Sequence, residues 1–456
     1  MNELMDKNLL ATWLSLAIKI LPVLVILPFL LINYEISISN FWLILVSFAS
    51  FGLVFEFGLT STFERFISYI RSGKSISENT KEIDLNDLIL TSKKIFLILS
   101  SILFFGLLCI GSLFLYKPIN LAVQENANIF FFELACLWFY VIFCISVGLY
   151  NFFYSSIFRG LNLIYEYRIR ESYAYLLVLV VSLIALIFLE NFVLFCYIFF
   201  SSTLVTYFFL RNKFENLNIY KKPKNRPHGL VKTIWGSAWR SGLGVFLSSG
   251  MLNFSGIIFA QLLNPSATSA LLVSMRIIQS FIAICNPIFY VKIPKMAYVY
   301  KTDGPKSIIK EASKRKILTI GLYVFLVYLL TLLLPFLNSY LDKPIIILDR
   351  LEWSLLCLAF TFERLSSLYI QTFSLSNIIV WHRVNSATCL CFVVLSGFLI
   401  PIYETIGICI AFLISYAVVN YYLSFSYYLN HFKIKISNSD LLLFTLAISV
   451  SGTLIA

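Results

Sequence analysis

Long apolar runs recur along the whole chain, each broken by a short polar segment. A membrane-crossing helix needs about 20 mostly apolar residues to cover a ~30 Å hydrocarbon core. Runs of that kind are predicted at 8–33, 40–63, 95–116, 129–158, 172–189, 192–210, 239–262, 268–291, 317–337, 352–380, 384–403 and 405–430. A last stretch, 441–456, is 16 residues long and short for a span. The runs are continuous and lack the ~10-residue alternation of a membrane barrel. Glu190-Asn191 and Asn264-Pro265-Ser266 separate neighbouring runs so closely that tight turns between antiparallel helices are predicted there. The first run is expected to be a retained helix, since no small-residue cleavage site follows it.

Composition sharpens this picture. Of the 456 residues 59% are hydrophobic and only 13% charged, against roughly 25% charged in soluble domains. A soluble enzyme, a disordered chain and a single-span receptor are excluded. With the N-terminus in the cytoplasm, 29 of the 35 Lys and Arg residues fall in segments on the cytoplasmic side. The opposite side holds Lys117, Lys343 and Arg350, and Lys19, Arg276 and Arg364 lie inside runs. This is the asymmetry of the positive-inside rule, so the net charge of +12 reads as a topology signal. Basic runs such as Lys221-Lys222-Pro-Lys224 flank spans and would face anionic headgroups, so no nucleic-acid partner is expected.

Twelve spans divide into an N-terminal lobe over 1–210, a basic cytoplasmic linker over 211–238, a C-terminal lobe over 239–430 and a tail over 431–456 with a possible thirteenth span. A weak echo supports the division. Asn162-Leu-Ile164-Tyr-Glu-Tyr-Arg168 and Asn377-Ile-Ile379-Val-Trp-His-Arg383 both read N-x-I-x-x-x-R. Six spans per half give both halves the same orientation, related by an axis along the membrane normal. The longest polar stretches are about 30 residues, too short for a soluble catalytic domain. The nine cysteines all lie within apolar runs, which argues against a disulfide framework. The three histidines are scattered at span ends, and no metal site is expected. No Gly-rich phosphate loop, useful carboxylate pair or Ser-His-Asp set appears, so the chain reads as a non-enzyme.

Ionisable residues within spans are costly unless they face protein or water, and are functional candidates for that reason. Thr12, Ser15, Lys19 and Pro22 share one face of the first helix. Ser47, Ser50, Gly58, Ser61, Arg65 and Ser68 are spaced as a stripe on the second. Arg276, Gln279 and Asn286 mark the eighth, and Arg364, Ser367, Gln371, Ser374 and Asn377 the tenth. Each stripe contains a cation. If the stripes face one another they line a hydrated cavity with a positive wall, and Lys19, Arg65, Arg276, Arg364, Ser367 and Gln371 are its candidate substrate-binding residues. Snorkelling to headgroups is the competing reading for Lys19 and Arg65. Arg364 sits beside Glu363, but neighbours on a helix point ~100° apart, so each is expected to need its own partner. Glu56, Glu133 and Glu363 are candidates for carrying a coupling proton or neutralising a buried Arg.

The segment Gly52-Leu-Val-Phe-Glu56-Phe-Gly58-Leu-Thr-Ser61-Thr-Phe-Glu64-Arg65-Phe-Ile-Ser68-Tyr resembles the second-span signature of Wzx-type polysaccharide flippases. These belong to the multidrug/oligosaccharidyl-lipid/polysaccharide (MOP) exporter superfamily, with the MATE drug exporters and the lipid II flippase. Trp239-Arg240-Ser-Gly242-Leu-Gly244 resembles the family's second-lobe start, and Ala270 through Pro294-Lys295 its eighth span. The family's Gly-Asn after the fourth span appears as Gly160-Leu-Asn162.

The resemblance implies an all-α polytopic protein with two six-helix lobes in a MATE-like V around a central cationic cavity. It implies a bacterial inner-membrane flippase that moves an undecaprenyl-diphosphate-linked oligosaccharide, such as an O-antigen repeat unit, to the outer leaflet by alternating access. Lys19, Arg65 and Arg276 match the family's cationic cavity positions. No cofactor is implied beyond coupling to H+ or Na+, and the expected partners are membrane lipids and other polysaccharide-assembly membrane proteins. Two rival functions are a MATE-like exporter of organic cations, which should carry acids in its lobes, and an O-antigen polymerase-type enzyme, which should carry Arg-rich external loops.

Overall fold

A computed structural model of the protein describes residues 2–71, 85–125, 130–217, 230–290, 292–293, 296, 299–300, 304, 307–339, 346–376, 378 and 380–454. All regular structure among them is helical. Asn377 and Ile379 of the sequence echo, Pro294-Lys295, His228 and the core of the basic linker lie outside the described residues.

The first predicted span is interrupted. Helix α1 (Asn2–Leu21) gives way to a π-helical turn over Pro22–Ile26 before α2 (Leu27–Asn33). Pro22 lacks an N–H, so the regular ladder cannot run through it. The second predicted span is also not one helix. It comprises α3 (Ile36–Ala49), α4 (Phe51–Phe55) and α5 (Leu59–Arg71), with Phe57 and Gly58 at φ 50° and 66°. Two left-handed residues cannot continue a right-handed helix. The stripe read from Ser47 to Ser68 is therefore cut in the middle, and Glu56 stands at the break.

The remaining elements follow the apolar runs, with longer ends. They are α6 (Leu85–Gly106), a π-turn (Leu107–Gly111), α7 (Ser112–Glu125), α8 (Phe131–Gly160), α9 (Ile164–Ile187), α10 (Phe192–Phe200), α11 (Ser202–Asn216), α12 (Leu230–Leu262), α13 (Pro265–Cys285) and α14 (Pro287–Tyr290). After these come α15 (Ser307–Ser339), α16 (Arg350–Ser374), α17 (Trp381–Ile414), a π-turn (Ser415–Asn420), α18 (Tyr421–Phe432) and α19 (Asn438–Ser449). Both predicted tight turns have built caps. The Asn191 side chain accepts from Leu194 N–H at 2.9 Å, after Glu190 at φ 48°. The Asn264 side chain accepts from Ala267 N–H at 2.8 Å, with Pro265 as the first helical residue. These side chains satisfy N–H groups that a helix start leaves open.

The apolar residues 381–432 fold into a hairpin. On a straight helix Phe392 and Phe412 would stand about 30 Å apart, yet their rings are 4.3 Å apart. The chain reverses at Glu404, where φ is 48° and ψ −121°, at the boundary predicted between the eleventh and twelfth spans. A Cβ on Gly407 would lie 2.5 Å from the Leu399 carbonyl oxygen, so the two arms meet this closely because residue 407 has no side chain. The Thr405 hydroxyl donates to the Glu352 carboxylate and holds the tip to the start of α16.

Contacts divide the chain into two compact units: Met1–Ile26 with Asn40–Gln261, and Leu27–Ser39 with Leu262–Ala456. In the first, α8 packs against α5, α6, α10 and α11, and α1 lies on α9. Seventh-span helix α12 belongs to it. The Phe254 and Phe51 rings lie tilted with centroids 4.4 Å apart, Phe246 stacks on Phe57 at 5.6 Å, and Gln261 Nε2 donates to Phe114 O at 2.6 Å. In the second unit α16 is central and packs against α15, α17, α18 and α19. Its residues Phe360, Leu365, Leu368 and Tyr369 are fully buried. All nine cysteines are free thiols.

Candidate functional site

Each unit holds a polar cluster among its apolar helices. In the first unit it is built where α1 meets α9. Ser15 and Lys19 are one turn apart on α1, so both reach the same place on α9. Glu171, nearly inaccessible to solvent, accepts four hydrogen bonds there. Lys19 Nζ donates to Oε1 at 2.7 Å and Tyr167 OH to Oε1 at 3.0 Å. Arg168 Nη1 donates to Oε2 at 2.8 Å and Ser15 Oγ to Oε2 at 3.0 Å. Four donors fill the usual acceptor sites of a carboxylate. Lys19 also lies 5.1 Å from the Tyr175 ring. Two cations share one acid, which leaves the cluster with net positive charge. Arg168 Nε is buried with no acceptor among the described residues.

The other first-unit candidates stand apart from Glu171's hydrogen bonds. Arg65, on α5, is half-buried and donates Nε–H to the Ser61 carbonyl at 3.3 Å. Glu56 is buried and accepts from the Thr60 hydroxyl one turn ahead. Glu133 is exposed and accepts from Phe130 N–H at 3.4 Å, which places it in the first turn of α8 as a helix cap.

The second-unit cluster joins α13 and α14 to α16. Buried Arg364 donates Nη1–H to Asn286 Oδ1. Its Nη2 lies 3.4 Å from Glu363 Oε1, which also accepts from Ser367 Oγ at 2.9 Å. The adjacency argument that gave Arg364 and Glu363 separate partners is thus corrected. The ~100° offset separates Cα–Cβ directions, but these long side chains curl back and meet. Gln371 Nε2 donates to Tyr290 OH at 2.9 Å, and Arg276 Nη1 to Gln279 Oε1 at 3.1 Å. Arg276, Arg364, Ser367, Gln371 and Glu363 therefore lie in one unit, with Glu363 beside Arg364 and Arg276 held by Gln279.

Sequence reasoning missed Glu171, Arg168 and Tyr290, and it missed a further buried group. Lys316 on α15 is fully buried, with Nζ 4.0 Å from the Tyr369 ring and 4.2 Å from the Tyr428 ring. Nζ has no hydrogen-bond acceptor among the described residues. Tyr369 OH donates to Asp440 Oδ1 at 2.8 Å, placing a carboxylate beside this cation–π cage. Glu171 and Lys316 each stand one residue before a predicted apolar run, at 172–189 and 317–337. Helices α9 and α15 begin earlier than those runs, and carry both residues inside. Among the described residues no group of three or more His, Cys, Asp or Glu side chains is placed to hold a metal ion.

No family model and no curated protein matches this sequence. Solved structures match over nearly its full length. An outward-facing multidrug resistance MATE family transporter of the MOP superfamily superposes with a TM-score of 0.58 at 14% identity, covering 97% of this chain and 96% of its own. A MOP superfamily transporter from Pyrococcus furiosus, described as having a binding pocket of reverse polarity, gives 0.59 at 15% identity, with 97% and 96% covered. The lipid II flippase MurJ in an inward closed conformation gives 0.57 at 13% identity, with 98% and 97% covered. The chain has the all-helical, multi-pass fold of MATE-like transporters.

Proposed function

We propose that this protein is a flippase that carries a lipid-diphosphate-linked oligosaccharide, of the O-antigen or surface-polysaccharide kind, from the cytoplasmic to the outer leaflet of the bacterial inner membrane. The observation that carries the reading is the pair of cations that share one buried acid in the first unit, Lys19 and Arg168 on Glu171, with the buried guanidinium of Arg364 and that of Arg276 in the second. A diphosphate brings about two negative charges into a low-dielectric layer, a cost of several kcal/mol per ion unless opposite charge is waiting. Guanidinium groups suit phosphate because their donors form a planar fork. Hydroxyl and amide groups such as Ser367 and Gln371 suit sugar hydroxyls, and the lipid tail can remain in the bilayer. Transport proceeds by alternating access, coupled to H+ or Na+. The MATE fold and the MurJ neighbour support a transporter, and the Wzx-like second-span residues support this substrate class.

Export of organic cations is the second reading, favoured by the multidrug MATE transporters among the structural neighbours. Reconstituted protein separates the two. In proteoliposomes the expected result is translocation of a polyprenyl-diphosphate oligosaccharide, without uptake of a lipophilic cationic dye. Arg276→Ala should lower flipping at least ten-fold with normal insertion, since one charge-assisted phosphate contact is worth a few kcal/mol. Arg276→Lys should retain more activity than Arg276→Gln. Equal flipping in all three variants, or dye transport in place of lipid transport, overturns the proposal.

A further inference from the structure

We propose that the second unit carries a binding site for an anionic phospholipid of the cytoplasmic leaflet, in the groove where α15 meets the junction of α18 and α19. The groove has a volume of about 750 Å³. Lys310 and Lys314 project into it from one face of α15, one turn apart, and Lys433 closes it from the end of α18. Lys433 is left-handed, at φ 50°, and turns the chain so that Ser437 and Ser439 complete the polar wall. Among the described residues no acid lines the groove. The acids next to its lining residues in sequence, Glu311 and Asp440, are already engaged. Glu311 pairs with Arg315 at 2.9 Å, and buried Asp440 accepts from Ser437 Oγ at 2.6 Å and from Tyr369. Three lysines thus face one space, which suits a phosphate.

The rest of the lining selects a lipid over a soluble anion. Ile309, Ile317, Leu318 and Ile434 complete the groove, and Leu318 is 47% exposed. The basic end of α15 lies where the sequence asymmetry places the cytoplasmic face, and an apolar helix rises directly from it. The occupant needs an anionic head at the lysines and a hydrocarbon tail against the isoleucines and Leu318. A bound headgroup would bridge α15 to the α18–α19 junction and hold the C-terminal helix in place. This inference does not depend on the transported substrate.

Native mass spectrometry of the purified full-length protein tests it, with phosphatidylglycerol and phosphatidylcholine as probes. Phosphatidylglycerol should be retained and phosphatidylcholine lost. Each of Lys310→Gln, Lys314→Gln and Lys433→Gln should weaken retention about five-fold, as one lysine near an anionic surface does. Lys435→Gln should change nothing, because Lys435 is exposed close by and does not line the groove. Equal retention of the two lipids, or an equal loss in Lys435→Gln, overturns the proposal. Displacement of phosphatidylglycerol by millimolar inorganic diphosphate would also overturn it, by showing that the site reads phosphate without a lipid.

Discussion

Glu171 shows how much one carboxylate settles among apolar helices. Removing a partner from a buried ion pair costs more than the pair contributes, because the remaining charge is left in low dielectric. Glu171→Gln keeps the shape and removes the charge, leaving Lys19 and Arg168 facing each other. We expect a loss of about 2–3 kcal/mol, below the fully buried range because a third of the Lys19 side chain is exposed. Thermal unfolding in detergent should show it as a lowered midpoint, and Lys19→Met on top of Glu171→Gln should recover part of the loss. A midpoint unchanged in the single variant would mean the cluster is solvated. Lys19 was legible in the sequence because a lone cation inside an apolar run stands out. Its partner was not, because Glu171 lies 152 residues away in a stretch whose polarity resembles a connection. Asn286 and Arg364 were both legible as polar positions within spans, but their pairing across 78 residues was not.

At the scale of the element, hydropathy located the helices and local stereochemistry decided where they break. The apolar runs, the capped turns at Asn191 and Asn264 and the reversal at residue 404 were legible, because burial and turn chemistry act on neighbouring residues. The breaks at Pro22 and at Phe57-Gly58 were less so, since an apolar run reads as continuous whether or not its backbone is. The hairpin gives the sharpest test. Gly407→Ala would drive a methyl group into the Leu399 backbone, where no side chain can rotate away, and should destabilise by about 3 kcal/mol or more. Gly397, on the opposite arm of the hairpin, has nothing within 4 Å of its would-be Cβ. Gly397→Ala should be neutral or slightly stabilising, as Ala is the better helix former. Equal unfolding midpoints for the two alanine variants in detergent would show that the arms separate freely.

At the scale of the whole molecule, the charge asymmetry and the packing of the last helix together predict a thirteenth crossing. Helix α15 starts at the lysine-rich segment that the charge asymmetry predicts to be cytoplasmic, and is long and apolar enough to cross a membrane. Helix α19 runs beside it in the same direction. Its first turn lines the groove with Ser313 and Lys314, and its last residue, Ser449, accepts a hydrogen bond from Tyr328 OH, further along α15. Twelve α-helical residues rise about 18 Å, and the 3₁₀ turn over Val450–Leu454 adds about 10 Å. Their sum comes within a few ångströms of the ~30 Å core, so the stretch left open in the sequence is long enough for a thirteenth crossing. With an odd number of crossings the two ends of the chain lie on opposite sides. A phosphatase reporter that is active only outside the inner membrane should therefore be active when fused after Ala456, and inactive when fused after Lys435. A cysteine at position 435, in a background free of native cysteines, should react with an impermeant thiol reagent only in inside-out vesicles. An inactive reporter at 456 together with the same labelling at 435 would make α19 a re-entrant or interfacial helix and leave twelve crossings.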